Sequence, residues 1–324
     1  MPKRKILLSL FAVVAALGWA SVAQSQGWPQ RPVKILLPFV AGGSTDSVAR
    51  VIAQRLSVAF GQQFIIENRA GASGAIAAEA VARSPADGYT LLMGAAGPIT
   101  ITPAASKTSY DPVRDFAPIS NVGTNPLVLV VHPGVPVHTF AEFIDYARRQ
   151  PNSVTFAGSG VGSMTHLAMA LFAKRAGLEM VPVMYKGGGA AMTDVLAGHV
   201  DAYLANLSVT VPYAATGALR LLAVSSDMRA PQIPHVPTFI ESGFPGFRAI
   251  TWNGLLAPRG TPKEIVDRIA QEVSRAVKDP KIAEHLTASG IDPLGNSPDQ
   301  FAAQIAADIA LWAEAVKIAG APEK

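Results

Sequence analysis

The chain contains no cysteine among its 324 residues. This absence excludes disulfides, thiolate metal sites, cysteine nucleophiles and lipid attachment through an N-terminal cysteine. Charged residues are also scarce, at 15%, whereas hydrophobic residues make up 49%. Such an apolar composition argues against disorder, and a chain of this length can form two domains that rely on their own cores.

Motifs for metals, cofactors and covalent catalysis are also missing or incomplete. The six histidines form no i, i+4 pair and no HExxH motif, so no metal site is predicted. "GSGVGS" has Ser163 where the dinucleotide fingerprint has its third glycine, and no P-loop lysine follows Gly42 and Gly43. "GASGA" misses the nucleophile elbow at its last position. No cofactor is predicted, and a secreted hydrolase using Ser73 or Ser163 stays open as an alternative.

Residues 1–23 have the pattern of a secretory signal peptide. Basic residues at 3–5 precede an apolar run over 6–19, and the small residues Ser21 and Ala23 follow. We predict cleavage after Ala23; an uncleaved anchor would need about 20 apolar residues. Without the three basic residues the net charge falls from +4 to +1. This gives no reason to expect nucleic acid or an anionic membrane as partner.

Short β-like runs alternate with helical periodicity along the rest of the chain. Residues 33–37, 64–68 and 90–94 predict strands, and helical spacing of apolar residues follows the first two. The same alternation returns between residues 127 and 225. Strands that alternate with helices predict βαβ units with parallel pairing, in two α/β halves.

Two helix starts carry capping signals. Thr139 is predicted to cap a helix that runs to about residue 150. In "GTPKE", Thr261 is predicted as the cap, with Pro262 at the first helical position and Glu264 at the third.

Four predicted strand-to-helix junctions combine glycine with hydroxyl or other polar residues. They lie at residues 38–46, 94–100, 158–166 and 185–189. The first amides of a helix have no intrahelical acceptor and carry a partial positive charge, so such a junction can hold a carboxylate without a basic side chain. Glycine also lets a ligand approach the backbone closely.

Each junction also has a purely structural interpretation. The hydroxyls at 44, 45, 163 and 165 can be ordinary helix caps. Asp46 can satisfy helix amides or reach a ligand, and His166 can bond to its own loop or to a ligand. Lys186 can be a ligand group or a solvated turn residue, and Arg248 suits a structural ion pair.

An ordered set of segments resembles a known family. The segments include "WPQRPVKILLPFVAGGSTD", "ENRAGASGAIAAEAVARSPADGYTLLMG", "GSGVGSMTHLA", "YKGGGAAMTDVLAGHVD" and "WNGLLAPRGTP". Together they resemble the Bug-type periplasmic solute-binding receptors of tripartite tricarboxylate transporters, from about residue 28 to residue 320.

The resemblance implies an α/β Venus-flytrap fold, the two-domain periplasmic-binding-protein architecture with a mostly parallel sheet in each domain and a ligand cleft between them. We expect domain 1 at 27–125 plus 249–324 and domain 2 at 126–248. It also implies a non-catalytic, monomeric periplasmic receptor that passes a small organic carboxylate to a membrane transporter. A periplasmic ligand sensor for a signalling partner remains an alternative.

The predicted ligand site combines the first and third junctions with positions that the resemblance adds. From the two junctions come Phe39, Gly42, Gly43, Ser44, Thr45, Asp46, Ser159, Gly162, Ser163, Thr165 and His166. The resemblance adds Ala95, Ala96, Tyr185, Lys186 and Asn206. The family often has an aspartate where this chain has Ala205, just before Asn206. An acidic partner for an ammonium group is thereby absent from that position, which disfavours amino acids as ligands.

Overall fold

The computed structural model describes residues 27–39, 41, 44–185, 187–288 and 290–320. The predicted signal peptide and its cleavage site lie outside these residues. Within the described ranges, no helix has the length and apolar character that crossing a membrane requires.

Ten strands form the sheet in the described part of the chain. In chain order they are β1 Val33–Leu37, β2 Phe64–Asn68, β3 Thr90–Ala95, β4 Phe116–Val131, β5 Thr155–Gly158, β6 Val181–Met184, β7 Ala202–Asn206, β8 Arg220–Val224, β9 Ile250–Pro258 and β10 Asp292–Pro293.

Helices follow most of these strands. They are α1 Ser44–Phe60, α2 Ala75–Ala82, α3 Thr102–Ala105, α4 Phe140–Arg149, α5 Met164–Ala176, α6 Gly188–Leu196, α7 Leu207–Thr216, α8 Lys263–Ala276, α9 Pro280–Ala288 and α10 Pro298–Ala319. A 3-10 turn, Ala72–Gly74, precedes α2, and a π-helical turn, Gly97–Ile101, precedes α3.

The strand order β2-β1-β3-β9-β4-β7-β5-β6 divides the molecule into two halves that meet at β4. β1 pairs in parallel with β2 and β3, and β5 pairs in parallel with β6 and β7. β9 runs antiparallel to both β3 and β4, and β4 runs antiparallel to β7 and β8. The α/β two-domain fold is therefore confirmed, with the refinement that each half has a mixed sheet: the βαβ units are parallel and the strands linking the halves are antiparallel.

β4 links the two halves because its partners change along its length. Its register with β9 runs from Phe116 opposite Pro258 to Pro126 opposite Ile250. From Leu127 onward it pairs with β7 and β8 instead. One continuous strand therefore belongs to both halves, and its change of partners lies beside the space between them.

Apolar side chains bury both faces of each half of the sheet. In α1, Val48, Ile52 and Leu56 are at most 1% exposed, at the spacing that puts them on one helix face against β1 and β3. A larger core extends across both halves and includes Phe172, on α5, and Trp312, on α10. The last helix thus packs on β4 and β9, the two strands that link the halves and are called the crossing strands below, and also on the second half.

One of the two predicted helix caps is confirmed and the other is wrong. Thr139 caps α4, its hydroxyl accepting from the amide of Glu142 at 3.2 Å. Thr261 as a helix cap is wrong: its hydroxyl donates to the carbonyl of Pro258 at 2.8 Å, and Pro262 occupies the N-cap position. The predicted helix therefore begins one residue later, at Lys263, and Glu264 is its second residue rather than its third.

Candidate functional site

A cavity of about 810 Å³ lies between the two halves. The first half contributes Phe39, Thr45, Ser73, Ala95, Ala96, Gly97, Pro98, Ile101, Thr102, Ala105 and Ser106. The second half contributes Ser159, Gly160, Val161, Gly162, Ser163, Met164 and Asn206. The crossing strands close one side with Asn125, Thr251, Trp252 and Asn253. This volume falls in the range of small-molecule sites, about 300–1,000 Å³.

The lining is apolar with scattered neutral polar groups. Among the described residues that line the cavity, none carries a charged side chain. The described part of the chain also holds no group of three or more histidine, aspartate or glutamate side chains suited to a metal ion. A charged ligand in this cavity must therefore be held by backbone dipoles, hydroxyls and amides.

The first predicted loop reaches the cavity at two described positions, Phe39 and Thr45. Gly42 and Gly43 lie outside the described residues, and the side chain of Ser44 is likewise not described. Because α1 begins at Ser44, Thr45 stands in its first turn, where backbone amides have no intrahelical acceptor. The amide of Asn68, at the end of β2, donates to the carbonyl of Phe39 at 3.1 Å and so ties the loop to the sheet.

Asp46 is not among the residues that line the cavity. Its carboxylate accepts from Nε of Arg50 at 2.8 Å, from Nη2 of the same residue at 3.1 Å, and from Nδ2 of Asn68 at 3.1 Å. The residue is only 4% exposed. In this structure the carboxylate joins the first turn of α1 to the end of β2.

The second predicted loop places Ser159, Gly162 and Ser163 on the cavity wall. Ser163 is the N-cap of α5, and its hydroxyl accepts from the amide of His166 at 3.3 Å. Thr165 lies behind the wall, with its hydroxyl 2.9 Å from the Ser159 amide and 3.1 Å from the Ser163 hydroxyl. The Ser159 hydroxyl is likewise 2.9 Å from the Thr165 hydroxyl. Because the His166 amide is already paired, the donors left for a ligand are the amides of Met164 and Thr165, the first two residues of α5, and the Ser163 hydroxyl.

His166 is buried and bonds to its own loop. Nδ1 accepts from the amide of Gly162 at 3.2 Å, and the ring stacks on Phe156 with centroids 6.4 Å apart. Burial lowers the pKa of the imidazole, because the charged form loses hydration. A neutral ring that accepts from Gly162 holds the cavity-lining part of the loop in place.

The remaining predicted residues divide between the cavity and its surroundings. Ala95, Ala96 and Asn206 line the cavity. Tyr185 does not; its hydroxyl donates to Asp194 at 2.7 Å, and burial together with that carboxylate raises the pKa of the phenol to about 12. Lys186 lies outside the described residues.

Sequence reasoning missed the wall formed by the crossing strands, including Asn125 and Asn253. Neither position lies at a predicted strand-to-helix junction, because both lie inside strands. The π-helical turn after β3 overlaps the predicted junction at residues 94–100, but its lining residues Pro98 and Ile101 were not in the predicted ligand set. Ser73 lines the cavity as well, at a left-handed φ of 53°. Within the described residues neither Ser73 nor Ser163 bonds to a histidine ring.

Comparison with known proteins identifies the family. The profile described as tripartite tricarboxylate transporter family receptor matches residues 48–320. BugT of Bordetella pertussis is 35% identical over 326 residues, covering 100% of both chains.

Solved structures agree with this assignment. R. palustris Rpa4515 with adipate is 39% identical, with a TM-score of 0.77 over 91% of this chain and 99% of that one. MatC from Rhodopseudomonas palustris with bound malate is 32% identical, with a TM-score of 0.73 over 89% and 100% of the two chains. The chain therefore belongs to the tripartite tricarboxylate transporter receptor family, the periplasmic solute-binding receptors of the Bug type.

Proposed function

We propose that this protein captures a small organic carboxylate between its two domains in the periplasm and delivers it to a tripartite tricarboxylate-type membrane transporter. The observation that carries the proposal is a cavity with a hydroxyl-bearing helix start on each side and no charged side chain among its described lining residues. Thr45 in the first turn of α1 and Ser163 at the N-cap of α5 face this space from the two halves. Helix starts suit an anion, because their free amides and dipoles favour negative charge.

The cavity-lining members of the predicted set are proposed as direct ligand contacts. They are Phe39, Thr45, Ala95, Ala96, Ser159, Gly162, Ser163 and Asn206. Thr165 and His166 then act from behind, by holding the loop through the Ser159 and Gly162 amides. Asp46 acts in the same way on the first loop, through Asn68.

Capture would proceed by domain closure. A ligand that bridges the two helix starts stabilises the closed arrangement by its differential contacts with that state. We place the domain exchange at residues 125–126 and 248–249, where β4 changes partners and the chain returns to β9. The two strands at the crossing can act as a hinge, and closure would then repack part of the larger core that extends across both halves.

Ligand class and delivery draw support from the family. Two related structures hold adipate and malate, both small carboxylates. Family members are transporter receptors, and the predicted signal peptide would bring this chain to the periplasm. The absence of an acidic side chain at Ala205 favours ligands without an ammonium group.

Native mass spectrometry of the freshly purified mature protein, followed by calorimetry with a panel of carboxylates, tests capture. We expect a co-purified organic acid or a panel member that binds, and a rise in unfolding free energy of about 2.7 kcal/mol at a ligand concentration 100 times Kd. Failure of every carboxylate both to bind and to stabilise would refute capture.

Delivery needs a separate measurement. Uptake of the identified acid by cells should fall when the receptor is deleted and return when it is restored. Uptake that is independent of the receptor, in cells where the protein still binds the acid, would refute delivery alone.

A further inference from the structure

The turn before β10 packs against the start of α7 with no room for a side chain between them. Gly290 lies in this turn, in the first half, and Ser208 is the second residue of α7, in the second half. A Cβ added at Gly290 would lie 2.5 Å from Cβ of Ser208 and 2.8 Å from its amide nitrogen, and it would also meet Cα of that residue. Glycine permits this approach because it has no Cβ. The two halves of the molecule therefore touch backbone to backbone at this point.

The contact lies beside the point where β4 changes partners. β10 pairs with β4 at Thr124, and β7 pairs with it at Leu127. Gly290 precedes β10 by two residues, and Ser208 follows β7 by two residues. Nδ2 of Asn125, on β4 between the two pairings, donates to the hydroxyl of Ser208 at 2.8 Å. Any bend of β4 at this point therefore changes the gap between the turn and α7.

Both sides of the contact are held by their own half. In the first half, β10 packs closely on β4, since a Cβ added at Gly123 would lie 2.7 Å from Cγ2 of Ile291. In the second half, Leu207, next to Ser208, is fully buried. Close-packed interiors of this kind deform little and transmit strain. The gap therefore changes mainly when the two halves move relative to each other.

We propose that this contact is the stop of the hinge: it limits the rotation of the two halves and so sets the arrangement in which both helix starts face one cavity. Rotation about the crossing strands can widen the gap but cannot narrow it, because a backbone contact has no side chain that could rearrange. The inference rests on the proposed function, in which a ligand bridges the two halves. It gives a turn outside the cavity lining a role in ligand affinity.

Spin labels test the stop without any ligand. Because the chain has no cysteine, Val58→Cys on α1 and Lys174→Cys on α5 place one label on each half, both at exposed positions. We expect Gly290→Ala to shift or broaden the distribution of distances between the labels, measured by pulsed electron double resonance. Gly61→Ala is the control, because φ is 66° there against 69° at Gly290 and nothing lies within 4 Å of the added Cβ. A distribution for Gly290→Ala equal to that of the control would overturn the proposal.

Asparagine variants separate the contact from backbone strain. Asparagine adopts the left-handed conformation more readily than alanine does, so Gly290→Asn costs less backbone strain but still adds a Cβ. Its label distances should change as those of Gly290→Ala do, whereas Gly61→Asn should leave them unchanged. Thermal unfolding checks that each variant folds. Failure of both Gly290 variants to fold, with both Gly61 variants folded, would also overturn the stop, because halves that rotate about a hinge should fold without this contact.

Calorimetry then connects the stop to capture, with malate and adipate as probes. We expect both Gly290 variants to bind about tenfold more weakly than the wild type, as a fall of the binding-competent population to about a tenth would give. Both Gly61 variants should keep the wild-type affinity. Unchanged or tighter binding by the Gly290 variants would overturn the stop. Failure of the wild type to bind either acid would count against the proposed function alone, since the label distances test the stop by themselves.

Discussion

The indole nitrogen of Trp252 donates a hydrogen bond of 2.8 Å to Oδ2 of Asp308. Trp252 lies on crossing strand β9 and lines the cavity, whereas Asp308 lies on the last helix, α10. The ring of Phe301, also on α10, packs edge-on against the indole with centroids 5.1 Å apart. The C-terminal helix therefore sets the orientation of a cavity wall, although it contributes no lining residue of its own among those described.

Asp308→Asn should stabilise the protein at high pH. Burial raises the pKa of the Asp308 carboxyl to about 6, against the lowering effects of Trp252, Arg248 and Gln304. Because the folded pKa lies above the unfolded value, the neutral Asp308 carboxyl contributes fully to folding stability below about pH 4. This contribution is lost as the pH rises through 6. At pH 8 we expect the free energy of unfolding of the variant to exceed that of the wild type by about 1–3 kcal/mol, and at pH 4.5 we expect a much smaller difference.

Urea unfolding at the two pH values measures this difference. Asp267→Asn, in an exposed pair with Lys263, is the control, and its effect should stay within about 0.5 kcal/mol at either pH. A less stable Asp308→Asn variant at pH 8 would contradict the prediction.

Ser163→Ala should lower both stability and ligand affinity. The hydroxyl caps α5 and also faces the cavity, so we expect a stability loss of about 1 kcal/mol and about a tenfold loss of carboxylate affinity. Ser297→Ala is a matched control, because Ser297 caps α10 in a capping box outside the cavity lining. Calorimetry and urea unfolding should show a similar stability loss for Ser297→Ala with unchanged affinity; equal affinity losses would exclude a ligand role for Ser163.

Gly74→Ala should destabilise the protein more than Gly61→Ala, although both glycines have a left-handed backbone conformation. Gly74 has φ of 91°, and an added Cβ would lie 2.9 Å from Cβ of Pro98 and 3.0 Å from Cβ of Pro38. We expect a loss of about 2–4 kcal/mol, the sum of backbone strain and overpacking. Gly61→Ala isolates the backbone effect, because φ is 66° and no atom lies within 4 Å of the added Cβ; about 1 kcal/mol is expected. Equal losses of unfolding free energy in the two variants would show that Pro38 and Pro98 move aside without cost.

Because of His166, the free energy of unfolding should decrease as the solution becomes acidic. Burial lowers its pKa in the folded protein below the unfolded value of about 6.5. Above about pH 6.5 the ring is neutral in both states and the folded protein keeps its full stability. Part of that stability is lost as the pH falls toward the folded pKa of His166. Protonation also puts a hydrogen on Nδ1, which then cannot accept from Gly162.

His166→Asn removes the titration while keeping an acceptor near the Nδ1 position. Between pH 7.5 and pH 5.5 the unfolding free energy of the wild type should fall more than that of the variant, by at most about 1.4 kcal/mol, the limit set by the unfolded pKa. The comparison cancels the opposite contribution of Asp308, which is present in both proteins. Identical slopes would show that the ring remains neutral, or equally exposed, in both states.

Much of the fold followed from local patterns. The apolar spacing that buries Val48, Ile52 and Leu56 predicted α1, and the cap at Thr139 predicted the start of α4. Helix α7 was missed because it contains Pro212 and presents little polar contrast. The first part of β4 was missed because a strand packed on both sides has no alternating pattern.

The predicted site shows the same division. Ser159, Ser163 and Thr45, which line the cavity, could be predicted from the sequence, because a helix start is encoded by a few consecutive residues. Asp46 and Tyr185 could not be assigned in this way. Their polar groups are engaged by Asn68 and Arg50 in one case and by Asp194 in the other, and these contacts depend on how strands and helices pack.

The amino-acid sequence by itself determined the alternation of strands and helices, the glycine-rich helix starts and the resemblance to a receptor family. The first two depend on neighbouring residues, whose backbone preferences and periodicity act locally, and the third depends on the order of short segments along the chain. Only the tertiary structure decided that Asn125, Asn206 and Asn253 line one cavity and that Asp308 supports Trp252. Those residues come from strands and a helix far apart in the chain, and the pairing of β4 with β9 and β7 brings them together.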